Sequence, residues 1–215
     1  MGKSNSRVLL VEGIAGIGKS TLIDLLIRKH ISEAEPRKIR SFLHLTQAHT
    51  YGPLAPDEDN NSLTKKQNLD HLSKIVDMLQ WYVNKLREKD DRVKFSCIVD
   101  SLHITHCFRP GILSWGDVVD IDQQLAKIGC KLAFIQVDPK TIWDRTISLR
   151  KDNQFITHYG KKFGKTLEEI QEYFIDEQKK MVNLTQKSKM QIKIFPNDKE
   201  PVQVIDELYS FWKSA

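Results

Sequence analysis

Gly13-Ile14-Ala15-Gly16-Ile17-Gly18-Lys19-Ser20 fits the pattern GxxxxGK[ST] at every fixed position. The chemistry of that spacing is phosphate binding. Glycines let successive backbone N–H groups turn inward, and the N-terminus of a following helix adds its partial positive charge to the nest. Lys19 then brings an ammonium to the β and γ phosphates, and the Ser20 hydroxyl is a ligand for Mg²⁺. The context agrees, because the apolar run Val8-Leu9-Leu10-Val11 precedes the loop as a strand and Leu22, Leu25, Leu26 and Ile27 follow it at helical spacing. The predicted nucleotide cradle is Gly13, Ile14, Ala15, Gly16, Ile17, Gly18, Lys19, Ser20 and Thr21, with ATP and Mg²⁺ as the ligands.

A second acid is needed to anchor the metal. Asp100 closes the apolar run Lys94-Phe95-Ser96-Cys97-Ile98-Val99, which delivers a carboxylate to the C-terminal edge of a sheet. Glu12 stands at the same edge, as a candidate base or as a structural carboxylate tied to backbone N–H groups. His103 and His106 have the i, i+3 spacing of a metal pair, but no third ligand accompanies them and they read as loop lining.

The elements that must position these groups alternate strand and helix along the chain, the pattern of an α/β domain on a parallel sheet. Strands are predicted at 8–11, 38–45, 94–99, 131–137 and 190–195. Helices are predicted from about Lys19, over 63–89, 141–149 and 167–184, and from Val202 to Trp212. The polar stretch Thr46 to Ser62, broken by Tyr51-Gly52-Pro53 and Pro56, reads as irregular.

With 215 residues and 40% hydrophobic content, the chain suits one domain, 1–215. It has no apolar run near the ~20 residues that span a bilayer and no signal peptide, so a cytoplasmic protein is expected. Met1 to Ser6 meets the loose acylation pattern at Gly2, which fixes too little to outweigh a plain strand start nearby. Cys97, Cys107 and Cys130 are odd in number and lack zinc-ligand spacing, so they read as thiols, with Cys97 and Cys130 buried. The net charge of +5 is concentrated in Arg145, Arg150, Lys151, Lys161, Lys162 and Lys165.

These parts, in this order, resemble the thymidylate kinase and deoxynucleoside kinase branch of the P-loop kinases. The likeness is carried by Val11-Glu12-Gly13 entering the loop, Ile98-Val99-Asp100, Val137-Asp138-Pro139 before the helix bearing Arg145 and Arg150, and a last strand and helix after the basic block. The resemblance implies a three-layer α/β/α fold with a five-stranded parallel sheet of order 2-3-1-4-5, and a helical lid at about 145–166. It implies in-line transfer of the ATP γ-phosphate to a nucleotide, nucleoside or similar small hydroxylated acceptor. Lys19, Asp100, Arg145 and Arg150 are then the catalytic residues, Arg145 packs beside the adenine, Ser20 and Asp100 hold the metal, and Pro196 to Asp198 resembles the loop over the base. Two departures separate the chain from thymidylate kinase itself. Ala15 replaces an acidic loop residue, and Asp100-Ser101-Leu102 replaces Asp-Arg-Tyr, leaving Arg109 as the nearby cation.

The acceptor pocket is expected among Gln47, His49, Tyr51, Trp81 or Tyr82, His103, His106 and Arg109. The apolar face of the long helix is either core or, as in related kinases, a homodimer contact. A nucleotide-dependent switch is the alternative function; the sequence has no NKxD guanine reader, and Asn84-Lys85-Leu86-Arg87 ends in the wrong charge. Nucleic-acid binding would rest on the basic block alone, without interleaved aromatics, and is not expected.

Overall fold

The computed structural model describes residues 6–33, 39–51, 64–87, 93–108, 113–148, 166–198 and 201–214. The strands are β1 (Ser6–Glu12), β2 (Ile39–Leu45), β3 (Val93–Asp100), β4 (Lys131–Gln136) and β5 (Gln191–Pro196). They form one parallel sheet in the order β2-β3-β1-β4-β5, the predicted order. Parallel strands need crossovers, and a sheet covered on both faces needs strands that are apolar throughout. β1 meets that demand, with Val8, Leu9, Leu10 and Val11 all at 1% exposure or less.

Helices α1 (Lys19–Ser32), α3 (Lys65–Arg87), α6 (Leu167–Thr185) and α7 (Pro201–Lys213) fall close to their predicted spans. α1 and α7 pack together over the sheet, while α3 packs with α5 (Trp115–Lys127). No described helix is long and apolar enough to cross a membrane.

Helix α5 is absent from the sequence expectation. Its signals were local: Ser114 and Asp117 form a capping box, with the Asp117 Oδ2 accepting from Ser114 N–H at 2.9 Å and Oγ at 2.8 Å. Val118, Ile121 and Leu125 then fall on one buried face. Two shorter elements also differ from expectation. Gln47–Thr50 forms a single helical turn, α2, inside the stretch read as irregular, started by a capping box between Thr46 and His49. His103–His106 forms another, α4. The helix predicted at 141–149 is a 3₁₀ turn at Pro139–Thr141 followed by a π-wound turn at Trp143–Ile147. Residues 149–165, most of the expected lid, lie outside the described residues, as do Arg109 and Arg150.

Candidate active site

The phosphate loop joins β1 to α1 and is held from three sides. Gly13 has φ +146°, and a Cβ there would stand 2.6 Å from the Ile135 carbonyl oxygen of β4, so only glycine lets the loop pass this close to the sheet. Gly16 lies against Thr146, whose Cγ2 would be 3.0 Å from an added Cβ. The Ile17 carbonyl accepts a hydrogen bond of 2.6 Å from the Asn197 carboxamide, in the turn after β5.

Within this cradle Lys19 is buried, and its Nζ donates to the Gly13 and Ile14 carbonyls at 2.9 Å each. The ammonium therefore closes the loop on itself. Ser20 and Thr21 are exposed on the first turn of α1.

Parallel register sets Asp100 beside the loop entrance, since Val11 of β1 pairs with Asp100 of β3. Asp100 is buried, and its Oδ1 accepts from the Ser101 hydroxyl at 3.1 Å. Ser101 takes φ +62°, the one positive φ at a non-glycine among the described residues, and its N–H returns to the Val11 carbonyl at 2.9 Å. A left-handed residue at a strand end turns the chain sharply at the sheet edge, and backbone strain of this kind gathers at functional sites.

Glu12, left open between base and structural carboxylate, has both oxygens engaged. Oε1 accepts from Leu102 N–H at 2.8 Å and Oε2 from the Thr105 hydroxyl at 2.6 Å. Burial pushes its pKa above the ordinary value, and Thr105, His103, Leu102 and Lys19 pull it part of the way back. Glu12 thus pins α4 under the phosphate loop.

The histidines of α4 diverge rather than pair. His103 donates from Nε2 to Asp122 of α5 at 3.1 Å, and both side chains are fully buried. Asp122 also accepts from the Ser188 hydroxyl at 2.6 Å and the Lys189 N–H at 2.7 Å. Burial pushes the Asp122 carboxyl up, but these hydrogen bonds together outweigh it and leave it below its ordinary value. His103 is therefore a core residue joining α4 to α5 and the turn before β5, and not a wall of the acceptor pocket.

His106 turns the other way. Its Nδ1 lies 2.7 Å from the Asn68 Oδ1, and its ring meets Tyr51 edge to face at 5.7 Å. His71 Nε2 sits 3.1 Å from the His49 and Thr50 carbonyls, and the Thr50 hydroxyl donates to the Asp100 carbonyl at 3.1 Å. The start of α3, α2 and α4 thus meet beside Asp100. Asn68, fully buried, was missed by sequence reasoning because it lies in the polar first turn of α3.

The aromatic residue expected in the pocket, Trp81 or Tyr82, lies elsewhere. Tyr82 stacks on Phe95 at 5.4 Å, Phe95 pairs with Ser6 at the opposite edge of the sheet, and Trp81 is 58% exposed. With the start of α3 beside Asp100, its far end cannot reach the same edge. On the other side of the loop, the π-wound turn that carries half-buried Arg145 sets the following residue, Thr146, against Gly16.

A glycine loop between β1 and α1, in a parallel sheet of order 2-3-1-4-5 with helices on both faces, defines a P-loop NTPase α/β/α fold. The chain superposes on the YorR protein of Bacillus subtilis, solved with phosphorylated GDP, with a TM-score of 0.57 and 14% identity, covering 95% of this chain and 94% of that one. It superposes on shikimate kinase from Bacteroides thetaiotaomicron with a TM-score of 0.56 and 15% identity, covering 97% and 99%. No protein-family model matches the sequence, and no curated protein does. At such identities the likeness establishes the fold.

Proposed function

We propose that this chain is an ATP-dependent phosphotransferase that moves the γ-phosphoryl group of Mg·ATP to a hydroxyl of a small acceptor, a nucleotide, a nucleoside or a similar compound. The observation that carries the reading is the cradle itself: a glycine loop held against β4 at Gly13, opening onto the exposed Ser20 and Thr21 hydroxyls, with Asp100 in register beside it. That donor set suits a magnesium nucleotide.

In this reading the loop N–H groups and Lys19 hold the phosphates, Ser20 and Asp100 hold the metal, and Arg145 and Arg150 bear on the nucleotide from the lid side. Magnesium, when bound, neutralises charge on the phosphates. Lys19 leaves the Gly13 and Ile14 carbonyls for the phosphate oxygens, so an ammonium already desolvated in the loop meets the developing charge. Of the two candidate bases Asp100 is the less committed, and its Oδ2 takes the acceptor's proton only where it is not itself bound to the metal. Among the described residues only its Oδ1 carries a hydrogen bond, whereas Glu12 is committed at both oxygens. As the acceptor oxygen bonds to phosphorus, the β–γ bridge breaks and ADP leaves.

The test is acceptor-dependent ADP release from Mg·ATP across nucleosides, nucleoside monophosphates and other small alcohols, with Lys19→Ala beside the wild type. Stimulation by one class, lost in Lys19→Ala, is expected. Tight ATP binding without stimulation by any class would favour the nucleotide-dependent switch, and full turnover by Lys19→Ala would remove the loop from the mechanism.

A further inference from the structure

The turn after β5 is tied twice to the end of β4. Asn197 N–H donates to the Gln136 carbonyl at the end of β4 at 2.7 Å, and the Asp198 Oδ1 accepts from Asp138 N–H at 3.2 Å. Between those ties the Asn197 carboxamide, 5% exposed, donates to the Ile17 carbonyl at 2.6 Å across 180 residues of sequence. It is a short bond in a dry place.

Its consequence follows from peptide geometry. The Ile17–Gly18 peptide is trans, so its C=O and N–H point in opposite directions. With the carbonyl held on Asn197, the Gly18 N–H faces the opposite side, away from the turn after β5. Gly18, at φ +87°, has no Cβ to restrict this peptide, which is free to rotate if nothing holds it. Ordering such a peptide in advance spares the cost of ordering it when an anion arrives.

We infer that Asn197 is a positioning residue for the phosphate nest: it fixes the orientation of the Ile17–Gly18 peptide so that the Gly18 N–H is presented to a polyphosphate before the ligand binds. The inference rests on the nucleotide-binding reading of the loop and adds to it a residue with no part in the P-loop motif. Because Asn197 belongs to the turn that the family resemblance assigns to the base, the base side and the phosphate side are joined through a single carboxamide.

Three probes separate this role from contact with the base. Dissociation constants for Mg·ATP, inorganic tripolyphosphate with Mg²⁺, and adenosine are measured by calorimetry on the wild type, Asn197→Ala and Asn197→Leu. The Leu variant is nearly isosteric and loses the donor without adding a charge, so it remains informative where Asn197→Ala folds poorly. Tripolyphosphate, which has no base, is expected to weaken about tenfold in both variants, the worth of one hydrogen bond lost from the nest. Adenosine, which has no phosphate, should bind as before, and the Gly18 amide resonance should shift in the variants without ligand.

Weakening of adenosine with tripolyphosphate unchanged would overturn the inference, leaving Asn197 a base contact. Equal affinity of all three proteins for all three probes would overturn it too. A wild type that binds neither Mg·ATP nor tripolyphosphate would overturn the nucleotide-binding reading along with it.

Discussion

Replacing Gly13 by alanine tests the packing of the phosphate loop on the sheet. At φ +146° an L residue is strained by about 1–3 kcal/mol. The new Cβ would also stand 2.6 Å from the Ile135 carbonyl oxygen and 2.9 Å from the Ile17 Cδ1. The Ile17 side chain can turn, but Ile135 pairs with Phe195 inside the sheet, so its carbonyl cannot step aside. Overpacking against such a neighbour adds about 1–3 kcal/mol. The sum is about 2–6 kcal/mol, and for a chain of this size each kcal/mol lowers Tm by about 2–4 °C. A fall of about 12 °C is the mid-range expectation, read by circular dichroism. Gly129→Ala is the control. Gly129 has φ +77° with nothing within 4 Å of an added Cβ, so the left-handed cost of about 1–2 kcal/mol stands alone, offset by about 0.4–1 kcal/mol from the stiffer unfolded chain. Its Tm should fall by no more than about 6 °C. Equal falls in the two variants would refute the close approach of Gly13 to β4.

Three further outcomes follow from the buried groups. Burial raises the folded pKa of Glu12 above 4.5, so the folded state keeps a proton that the unfolded chain has released, and stability declines as pH rises through that window. Urea midpoints of Glu12→Gln should therefore depend less on pH above 4.5 than those of the wild type, and parallel profiles would contradict the assignment. Asp122→Ala removes the acceptor for His103, Ser188 and the Lys189 N–H, and should cost about 3–5 kcal/mol in chemical denaturation. Asp122→Asn, which keeps one acceptor oxygen, should cost less; equal midpoints for wild type and Asp122→Ala would show that the network is not formed. Burial pushes the Cys107 and Cys130 thiols up to about 12 and Cys97 well above its ordinary value, so the native protein should react slowly with a thiol reagent at about pH 8 and all three should react once denatured.

What could be read from the sequence was what local chemistry dictates. The phosphate loop, the start of α1 at Lys19 and the strand end at Asp100 follow from residue types at short spacing, and the order of the sheet followed from the family resemblance. Helix α5 is also legible, through the Ser114–Asp117 capping box and the Val118, Ile121, Leu125 stripe, although no helix was expected there. The π-wound turn was not legible, because its residues have ordinary helical spacing and the widening coincides with contact between Thr146 and Gly16, a tertiary event. The same holds for the division of labour between Glu12 and Asp100, which depends on where Leu102 and Thr105 bring their donors. His103 and Asp122 are 19 positions apart, and Asn197 and Ile17 are 180 apart; only the fold makes them partners.

Transfer itself is the central claim, and the direct measurement follows the γ-phosphorus of ATP in the presence of Mg²⁺ and each class of small hydroxylated acceptor by ³¹P NMR. The account predicts a new phosphate-ester resonance with one class, growing as the ATP γ resonance declines and absent with Lys19→Ala. A γ-phosphate that stays in ATP with every class, or emerges only as inorganic phosphate, would contradict it.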